Sequence, residues 1–175
     1  MPYTFLLGGA RSGKSSLGVR LAAAQDAPVV VIATAEGRDA DMAERIRGHR
    51  ASRPAAWETV EAPLGLLEAT KGIRDDACVI LDCLTLWVSN ALEAGGSESE
   101  IDGEAREVAS LLAGRSAPSI VVSNEVGLGI VPTSELARTY RDVLGRVNAS
   151  FAEQASRSFL VVAGRGVPLE EVTLT

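Results

Sequence analysis

The chain has 175 residues, of which 46% are hydrophobic and 23% charged, a composition close to that of ordinary globular proteins. This length is typical of one domain, so we expect a single domain over residues 1–175. The formal net charge of -6 argues against a broad phosphate-binding face, so we expect no nucleic-acid partner, while a local basic pocket stays compatible with an acidic protein. No apolar run reaches the roughly 18 residues of a membrane span, and the N-terminus lacks the basic segment of a signal peptide. We therefore expect a soluble, cytoplasmic protein.

Short apolar runs rich in β-branched residues alternate with longer stretches of helical spacing. The runs predict strands at residues 3–7, 29–34, 78–81, 119–123 and 159–162. Continuous runs such as PVVVIAT are typical of strands that are buried on both faces of a parallel sheet. The sequence therefore predicts an α/β fold, with a doubly wound, mostly parallel sheet and helices on both faces.

The first predicted strand leads into GGARSGKS, residues 8–15, which matches the phosphate-binding pattern G-x-x-x-x-G-K-[ST] between a strand and a helix. Glycines allow backbone N–H groups to turn towards phosphate, and the N-terminus of the following helix adds the positive end of its dipole. In such a loop Lys14 would bridge the β- and γ-phosphates and Ser15 would bind Mg²⁺. We therefore expect a P-loop NTPase-like fold that binds a nucleoside triphosphate.

The only histidine of the chain, His49, lies among four arginines in the segment RIRGHRASRP. Met42, Ile46 and His49 have the spacing of one helix face, so the imidazole could simply complete the core or pair with the C-terminal end of the helix dipole. The alternative is that His49 attacks a nucleotide α-phosphate whose oxygens bind Arg50 and Arg53. The residue types alone leave both interpretations open.

Asp82 follows the third predicted strand, within ACVILDCLTLW. A carboxylate at the end of a strand next to the P-loop strand commonly organises the Mg²⁺ of a P-loop site. The alternative role is to cap the helix that begins near Leu84. Cys78 and Cys83 lie on either side of this strand end without a second Cys or His pair to complete a zinc site, so we expect two buried thiols.

Further along, AGGSESEIDGE, residues 94–104, is rich in Gly and Ser and predicts a mobile loop. The fourth strand then ends in SNEVGLGIVP, at the edge where open α/β sheets bind ligands. Glu125 in this segment is either a base or metal partner or, with Asn124, a residue that stabilises the loop. After VPTSE, apolar residues recur at helical spacing from position 136 to position 151 and predict a long helix.

Three classes of function suit such a fold. A signalling GTPase is disfavoured because [NT]-K-x-D is absent and the one D-x-x-G, residues 142–145, falls inside the predicted long helix. A small-molecule kinase without guanylyl transfer would use the P-loop, Mg²⁺ and arginines. A nucleotidyltransferase with a covalent intermediate would give the lone histidine a task, whereas a nucleotide-gated binding module would not.

Six segments together resemble the bifunctional adenosylcobinamide kinase/adenosylcobinamide-phosphate guanylyltransferase family: GGARSGKS, VIATAE, RIRGHRASRPAAWETVE, LDCLTLWVSN, SNEVGLGIVP and LARTYRDVLGRVN. SNEVGLGIVP and the histidine in GHRASRP are the most specific of them. The resemblance implies an enzyme of cobalamin biosynthesis that phosphorylates adenosylcobinamide with ATP or GTP. It then transfers GMP from GTP to adenosylcobinamide phosphate, which gives adenosylcobinamide-GDP and pyrophosphate. His49 is then the residue that carries GMP.

The resemblance also implies a homotrimer and a set of site residues. Lys14 and His49 are implied to be catalytic, and Ser15 and Asp82 to hold Mg²⁺. Family members often carry Glu at the position of Asp82, so we expect this shorter carboxylate to reach the metal through water. The implied nucleotide contacts are Gly8, Gly9, Ala10, Arg11, Ser12, Gly13, Lys14, Ser15, Ala33, Thr34, Ala35, Arg50, Ala51, Ser52, Arg53, Glu61 and Asp82.

Overall fold

The computed structural model describes residues 3–171, which form a seven-stranded sheet and six helices. The strands are β1 (Thr4–Gly8), β2 (Val29–Ala33), β3 (Glu58–Glu61), β4 (Cys78–Asp82), β5 (Ser119–Asn124), β6 (Arg157–Val162) and β7 (Arg165–Leu169). The helices are α1 (Lys14–Ala23), α2 (Ala40–Ala51), α3 (Leu66–Lys71), α4 (Leu84–Glu93), α5 (Glu98–Ala113) and α6 (Glu135–Gln154). The five predicted strands are confirmed as β1, β2, β4, β5 and β6.

The strand order in the sheet is β3-β2-β4-β5-β1-β6-β7. Neighbouring strands pair in parallel except β6 and β7, which are antiparallel. The prediction of a mostly parallel sheet is confirmed. The hydrophobic pattern does not predict β3 and β7 because both are edge strands. Their sequences, ETVE and RGVPL, are largely exposed and lack the continuous apolar run of a buried strand.

The strand that carries Asp82 is not the neighbour of the P-loop strand, so that expectation is wrong. β5 lies between them: Gly8 at the end of β1 pairs with Asn124, and Asp82 at the end of β4 pairs with Val122. Since the three strands are parallel, their carboxyl ends still meet at one edge of the sheet. The polar residues at that edge therefore lie side by side.

Helices cover both faces of the sheet, as predicted, but unequally. On one face α3, α4, α5 and α6 enclose the larger core, which includes the fully buried Trp87, Leu144 and Phe151. On the other face α1 packs against β1, β4 and β5. Gly18 of α1 brings the helix backbone close to the sheet, where a Cβ would lie 3.5 Å from the side chains of Ile120 and Val122. The P-loop is thus held between this helix and the edge of the sheet.

The segment at residues 94–104 is not a mobile loop as predicted, because α5 begins within it. The Ser97 hydroxyl accepts from the Glu100 N–H, and the Glu100 carboxylate accepts from the Ser97 N–H, which together form a capping box. From Ile101 onward the helix buries an apolar face that includes Val108 and Leu112. The Gly and Ser content at the start of the segment conceals this helix start.

The long helix predicted after VPTSE is α6, and the D-x-x-G tetrapeptide at residues 142–145 lies inside it. Cys78 is buried as expected, but Cys83 is only partly buried, because it follows β4 at the edge of the sheet. The pKa of Cys78 is raised to about 11 by its burial. Within residues 3–171, none of the helices is long and apolar enough to cross a membrane.

Candidate functional site

The P-loop turns from β1 into α1 through backbone that only glycine adopts readily. Gly13 has φ of +95°, in the left-handed region. A Cβ on Gly13 would also lie 3.0 Å from the Cα of Gly164, in the turn between β6 and β7. The Gly164 N–H donates to the Ser12 carbonyl at 2.7 Å. The β6–β7 turn therefore supports the P-loop, a contact that the motif alone does not indicate.

Lys14 and Ser15 open α1 at the end of this loop. Lys14 is buried, and its Nζ donates to the Gly9 carbonyl at 2.8 Å. Burial lowers the pKa of Lys14 below its ordinary value, while the nearby Asp82 carboxylate opposes that shift. The ammonium group is thus held at the helix N-terminus, where a phosphate group would also gain from the helix dipole.

Asp82 lies directly opposite the P-loop. The Ser15 hydroxyl donates to Asp82 Oδ1 at 3.4 Å, although β5 separates their two strands. Asp82 does not occupy the cap position of α4, which belongs to Cys83, so the capping interpretation is wrong. A hydroxyl and a carboxylate oxygen suit Mg²⁺, which usually binds to one or two protein groups together with substrate phosphates.

No group of three or more His, Cys, Asp or Glu within residues 3–171 is arranged to hold a metal ion. A magnesium ion that arrives with a nucleotide needs fewer protein ligands than such a group supplies. The pair formed by Ser15 and Asp82 therefore fits a metal bound jointly by protein and nucleotide, and not a separate metal centre.

The second oxygen of Asp82 faces the histidine segment. Arg53 Nη2 donates to Asp82 Oδ2 at 2.9 Å, and only 9% of the Arg53 side chain is exposed. His49 Nδ1 lies 3.9 Å from the same oxygen. One carboxylate thus joins the P-loop, through Ser15, to the segment that follows α2.

His49 lies on α2, none of whose residues is buried, and 52% of its side chain is exposed. The imidazole therefore does not complete the core, which was one interpretation of the apolar spacing on this helix. Its position in the last turn of α2 still agrees with a favourable interaction with the helix dipole. The side chain lines a cavity that the P-loop also lines.

This cavity has a volume of about 600 Å³, within the range of small-molecule sites. Most of the predicted site residues line it: Ala10, Arg11, Ser12, Gly13, Lys14, Ser15, Ala33, Ala35, His49, Arg50, Arg53, Glu61 and Asp82. They come from the P-loop, from the ends of β2, β3 and β4, and from α2 with the residues that follow it. The folded chain thus brings together segments that are distant in the sequence.

The other predicted residues lie next to this cavity without lining it: Gly8, Gly9, Thr34, Ala51 and Ser52. Thr34 is fully buried, and its hydroxyl donates to the Cys83 carbonyl at 2.6 Å and accepts from the Cys83 N–H at 2.9 Å. Thr34 therefore joins β2 to the segment after β4. The Ser52 hydroxyl donates to the His49 carbonyl at 2.8 Å, at the end of α2.

Glu61 lines the cavity at its outer rim, where 72% of its side chain is exposed. Arg50 Nη1 lies 3.9 Å from Glu61 Oε1. Glu125 does not line the cavity, and its carboxylate accepts a hydrogen bond from the Gly127 N–H. This contact agrees with the loop-stabilising interpretation of Glu125.

Several further residues line the cavity that the sequence does not assign to the nucleotide site: Ser16, Met42, Arg45, Ile46, Thr59, Cys83, Thr85, Leu86, Val122 and Asn124, the last named only as a residue of the strand end. The rule that parallel strand ends carry ligand sites pointed to the segment of Asn124, and applied to the end of β4 it could also have identified Cys83 and Thr85. Burial raises the pKa of the Cys83 thiol, and the negative charge of the neighbouring Asp82 raises it further.

A phosphate-binding loop at the start of a helix, facing a carboxylate across a parallel sheet, defines a P-loop nucleotide-binding protein. The fold is similar to that of a prototypical ATPase from the type III secretion system of pathogenic bacteria. The TM-score is 0.56 at 12% sequence identity, over 91% of this chain and 50% of that one. At this level of identity the likeness concerns the fold alone.

Residues 4–169 match the profile of the family described as cobinamide kinase / cobinamide phosphate guanyltransferase, or CobU. The chain is 43% identical to the bifunctional adenosylcobalamin biosynthesis protein CobP of Pseudomonas aeruginosa, over 94% of this chain and 95% of that protein. It is 40% identical to the protein CobU of Salmonella typhimurium, described in the same words, over 93% of this chain and 97% of that one. The chain belongs to this family, which confirms the resemblance carried by its motifs.

Proposed function

We propose that this protein phosphorylates adenosylcobinamide with ATP or GTP and then transfers GMP from GTP to adenosylcobinamide phosphate. Family membership supports both activities. The observation that carries the proposal is the exposed imidazole of His49 in the same cavity as Lys14 and Asp82. A kinase or a nucleotide-gated module without guanylyl transfer would have no use for a nucleophile there.

In both reactions the P-loop binds the triphosphate. Backbone N–H groups of residues 8–15 surround the phosphates, and Lys14 contacts the β- and γ-oxygens. The remaining nucleotide contacts are proposed at residues 33–35, 50–53, Glu61 and Asp82. Mg²⁺ held by Ser15 and Asp82, directly or through water, would neutralise charge on the phosphates when bound.

In the kinase reaction, the hydroxyl oxygen of the corrinoid side arm bonds to the γ-phosphorus. The bond between that phosphorus and the β–γ bridging oxygen breaks, and its electron pair leaves with the nucleoside diphosphate. The hydroxyl proton passes to water. Lys14 stabilises the charge that develops on the leaving diphosphate.

In the guanylyl transfer, a ring nitrogen of His49 bonds to the α-phosphorus of GTP, and the bond to the α–β bridging oxygen breaks. Pyrophosphate leaves with that electron pair. Asp82 lies near Nδ1, so we propose that Nε2 is the attacking nitrogen. A phosphate oxygen of adenosylcobinamide phosphate then bonds to the same phosphorus, and the electron pair of the P–N bond returns to the imidazole. Arg53 and Arg50 stabilise the charge on the α-phosphate.

We further propose that residues 1–175 form one domain and that the protein assembles as a homotrimer in the cytoplasm. The proposal of a trimer rests on the resemblance to this family, whose profile matches residues 4–169. Analytical ultracentrifugation tests the trimer, because a species of three times the mass of one chain is expected.

The covalent step is tested with Mg²⁺ and GTP labelled at either the α- or the γ-phosphate, followed by denaturation of the protein. We expect label from the α-position alone to stay on the chain, stable to alkali and lost in acid as for a phosphoramidate. His49→Asn keeps a polar side chain of similar size but lacks the nucleophile, so it should retain no label while it keeps most of the kinase activity. Lys14→Ala should lose both activities.

Retention of α-label by His49→Asn would contradict the role of His49. Absence of label from the wild type, with kinase activity intact, would instead favour a kinase without guanylyl transfer. Absence of both activities would favour a nucleotide-gated module.

A further inference from the structure

The strand between the P-loop strand and the Asp82 strand ends in a polar residue that neither proposed reaction step uses. Asn124, the last residue of β5, pairs with Gly8, the first residue of the P-loop. Two residues earlier, Val122 pairs with Asp82. Paired residues in adjacent strands lie about 5 Å apart, so Asn124 stands between the P-loop and the Asp82 carboxylate.

Asn124 also faces the same side of the sheet as the P-loop helix. Ile120 and Val122 lie under Gly18 of α1, and side chains on a strand alternate between faces. Asn124 therefore shares the face of Ile120 and Val122, which is the side on which Lys14 and Ser15 begin α1. It lines the cavity there.

The backbone of Asn124 is held from two sides. Its N–H donates to Thr85 Oγ1 at 2.8 Å, and its carbonyl accepts from Asn148 Nδ2 at 3.0 Å. Asn148 Oδ1 in turn accepts from the Ser123 hydroxyl at 2.6 Å, and all three supporting side chains are buried. The next residue, Glu125, donates its N–H to the Gly8 carbonyl at 3.1 Å. The position of Asn124 relative to the P-loop is thus fixed by the fold.

The side-chain amide is not used in this support. Within residues 3–171, Asn124 forms hydrogen bonds only through its backbone N–H and carbonyl. Its side-chain amide forms none with these residues. The residue is half-buried, so the amide reaches the cavity from a rigid strand end. A neutral group with two N–H donors, fixed beside a P-loop, is suited to a phosphoryl oxygen.

We propose that Asn124 is a further catalytic residue of the kinase reaction, whose Nδ2–H groups donate to the γ-phosphoryl group during its transfer. This inference rests on the proposed function. Lys14, which would bridge the β- and γ-phosphates, lines the cavity together with Ser15, Asp82 and Asn124. We therefore place the γ-phosphoryl group, at the end of the triphosphate, beside the end of β5.

The proposal separates the two activities. The kinase reaction breaks the bond between the γ-phosphorus and the β–γ bridging oxygen, where Asn124 acts. Guanylyl transfer breaks the bond at the α-phosphorus, on the far side of the triphosphate. Loss of the amide should therefore slow the first reaction and leave the second nearly unchanged.

The test compares Asn124→Leu, which is similar in size but apolar, with Asn124→Asp, which keeps the shape and adds a negative charge. The kinase kcat of Asn124→Leu is expected to fall by at least about tenfold, because one donor to developing charge is lost. KM for ATP should change less than about threefold, since the P-loop still binds the nucleotide. Asn124→Asp should lose at least as much, because a carboxylate repels the γ-phosphate.

Guanylyl transfer to adenosylcobinamide phosphate, supplied directly, serves as the control for folding, and should stay within about threefold of wild type. As a second readout, Asn124→Leu should weaken binding of ADP with aluminium fluoride, which mimics the transferring group, but not binding of ADP alone.

Unchanged kinase kcat would overturn the proposal, and so would an equal fall of both activities. Should Asn124→Leu fail to fold, Asn124→Ala, which removes the amide without adding a charge, is judged by the same comparison of kinase kcat with guanylyl transfer. A wild-type protein without kinase activity would instead refute the proposed function itself.

Discussion

At the residue scale, Asp82 connects the two parts of the site. Its Oδ1 meets Ser15 of the P-loop, and its Oδ2 meets Arg53 and lies near His49. The Arg53 guanidinium is almost fully buried, whereas two thirds of the Arg50 side chain is exposed. The two arginines, identical in type and three residues apart, therefore have different surroundings and different expected contributions to stability.

We predict that Arg53→Ala lowers the free energy of unfolding by about 1–3 kcal/mol, because it leaves a mostly buried carboxylate without its charged partner. Arg50→Ala is the matched control, and it should change the free energy of unfolding by less than about 0.5 kcal/mol, since exposed ion pairs contribute little. Urea denaturation of both variants measures the difference. Equal effects would show that the pair of Arg53 and Asp82 does not stabilise the fold.

At the element scale, the position of the P-loop depends on how closely α1 and β6 approach β1 and β5. Two glycines lie at these close approaches: Gly18 of α1 against β5, and Gly8 of β1 against β6. A Cβ on Gly18 would make ordinary contacts at 3.5 Å with Ile120 and Val122, whereas a Cβ on Gly8 would lie 2.4 Å from the Val161 carbonyl oxygen. The space at Gly18 accepts a methyl group, and the space at Gly8 does not.

We predict that Gly18→Ala raises the free energy of unfolding by about 0.5–1 kcal/mol, because alanine is the better helix former and its methyl group fits. Gly8→Ala should lower it by about 1–3 kcal/mol, since the backbone of β6 has to move. Thermal and urea denaturation of the two variants provide the measurement. Destabilisation by Gly18→Ala would mean that α1 lies closer to the sheet than described.

At the scale of the whole molecule, the proposed site residues lie at one edge of the sheet. The P-loop follows β1, Ala33 ends β2, Asp82 ends β4 and Asn124 ends β5, while α2 carries His49 over the same cavity. A nucleotide bound there would contact the P-loop, the ends of several strands and α2. Its binding should therefore stabilise the folded state as a whole.

We predict that MgGTP at about 100 times its Kd stabilises the protein by about 2.7 kcal/mol, a rise in Tm of about 5–10 °C. Removal of Mg²⁺ by a chelator should reduce this shift, and Lys14→Ala should abolish it. Lys71→Ala is the control, because Lys71 is the other lysine of the chain and lies exposed on α3. Differential scanning calorimetry measures the shift. An equal loss of the shift in both variants would contradict binding through the P-loop.

Several elements could be predicted because their signals are local. The strands β2, β4 and β5 are continuous apolar runs, and the P-loop is defined by glycines, Lys14 and Ser15 within eight residues. The start of α5 could not be recognised by composition, because Gly and Ser conceal the capping box of Ser97 and Glu100. The edge strands β3 and β7 have no buried apolar face of their own, so their pairing depends on the strands beside them.

The sequence by itself determined the α/β class, the phosphate-binding loop and, through its motifs, the family. These properties depend on short stretches whose chemistry is complete without the rest of the chain. Only the tertiary structure decided that β5 separates the P-loop from Asp82, that Arg53 is buried against this carboxylate and that Asn124 reaches the cavity. Strand order and burial result from packing between residues far apart in the chain, so no local pattern records them.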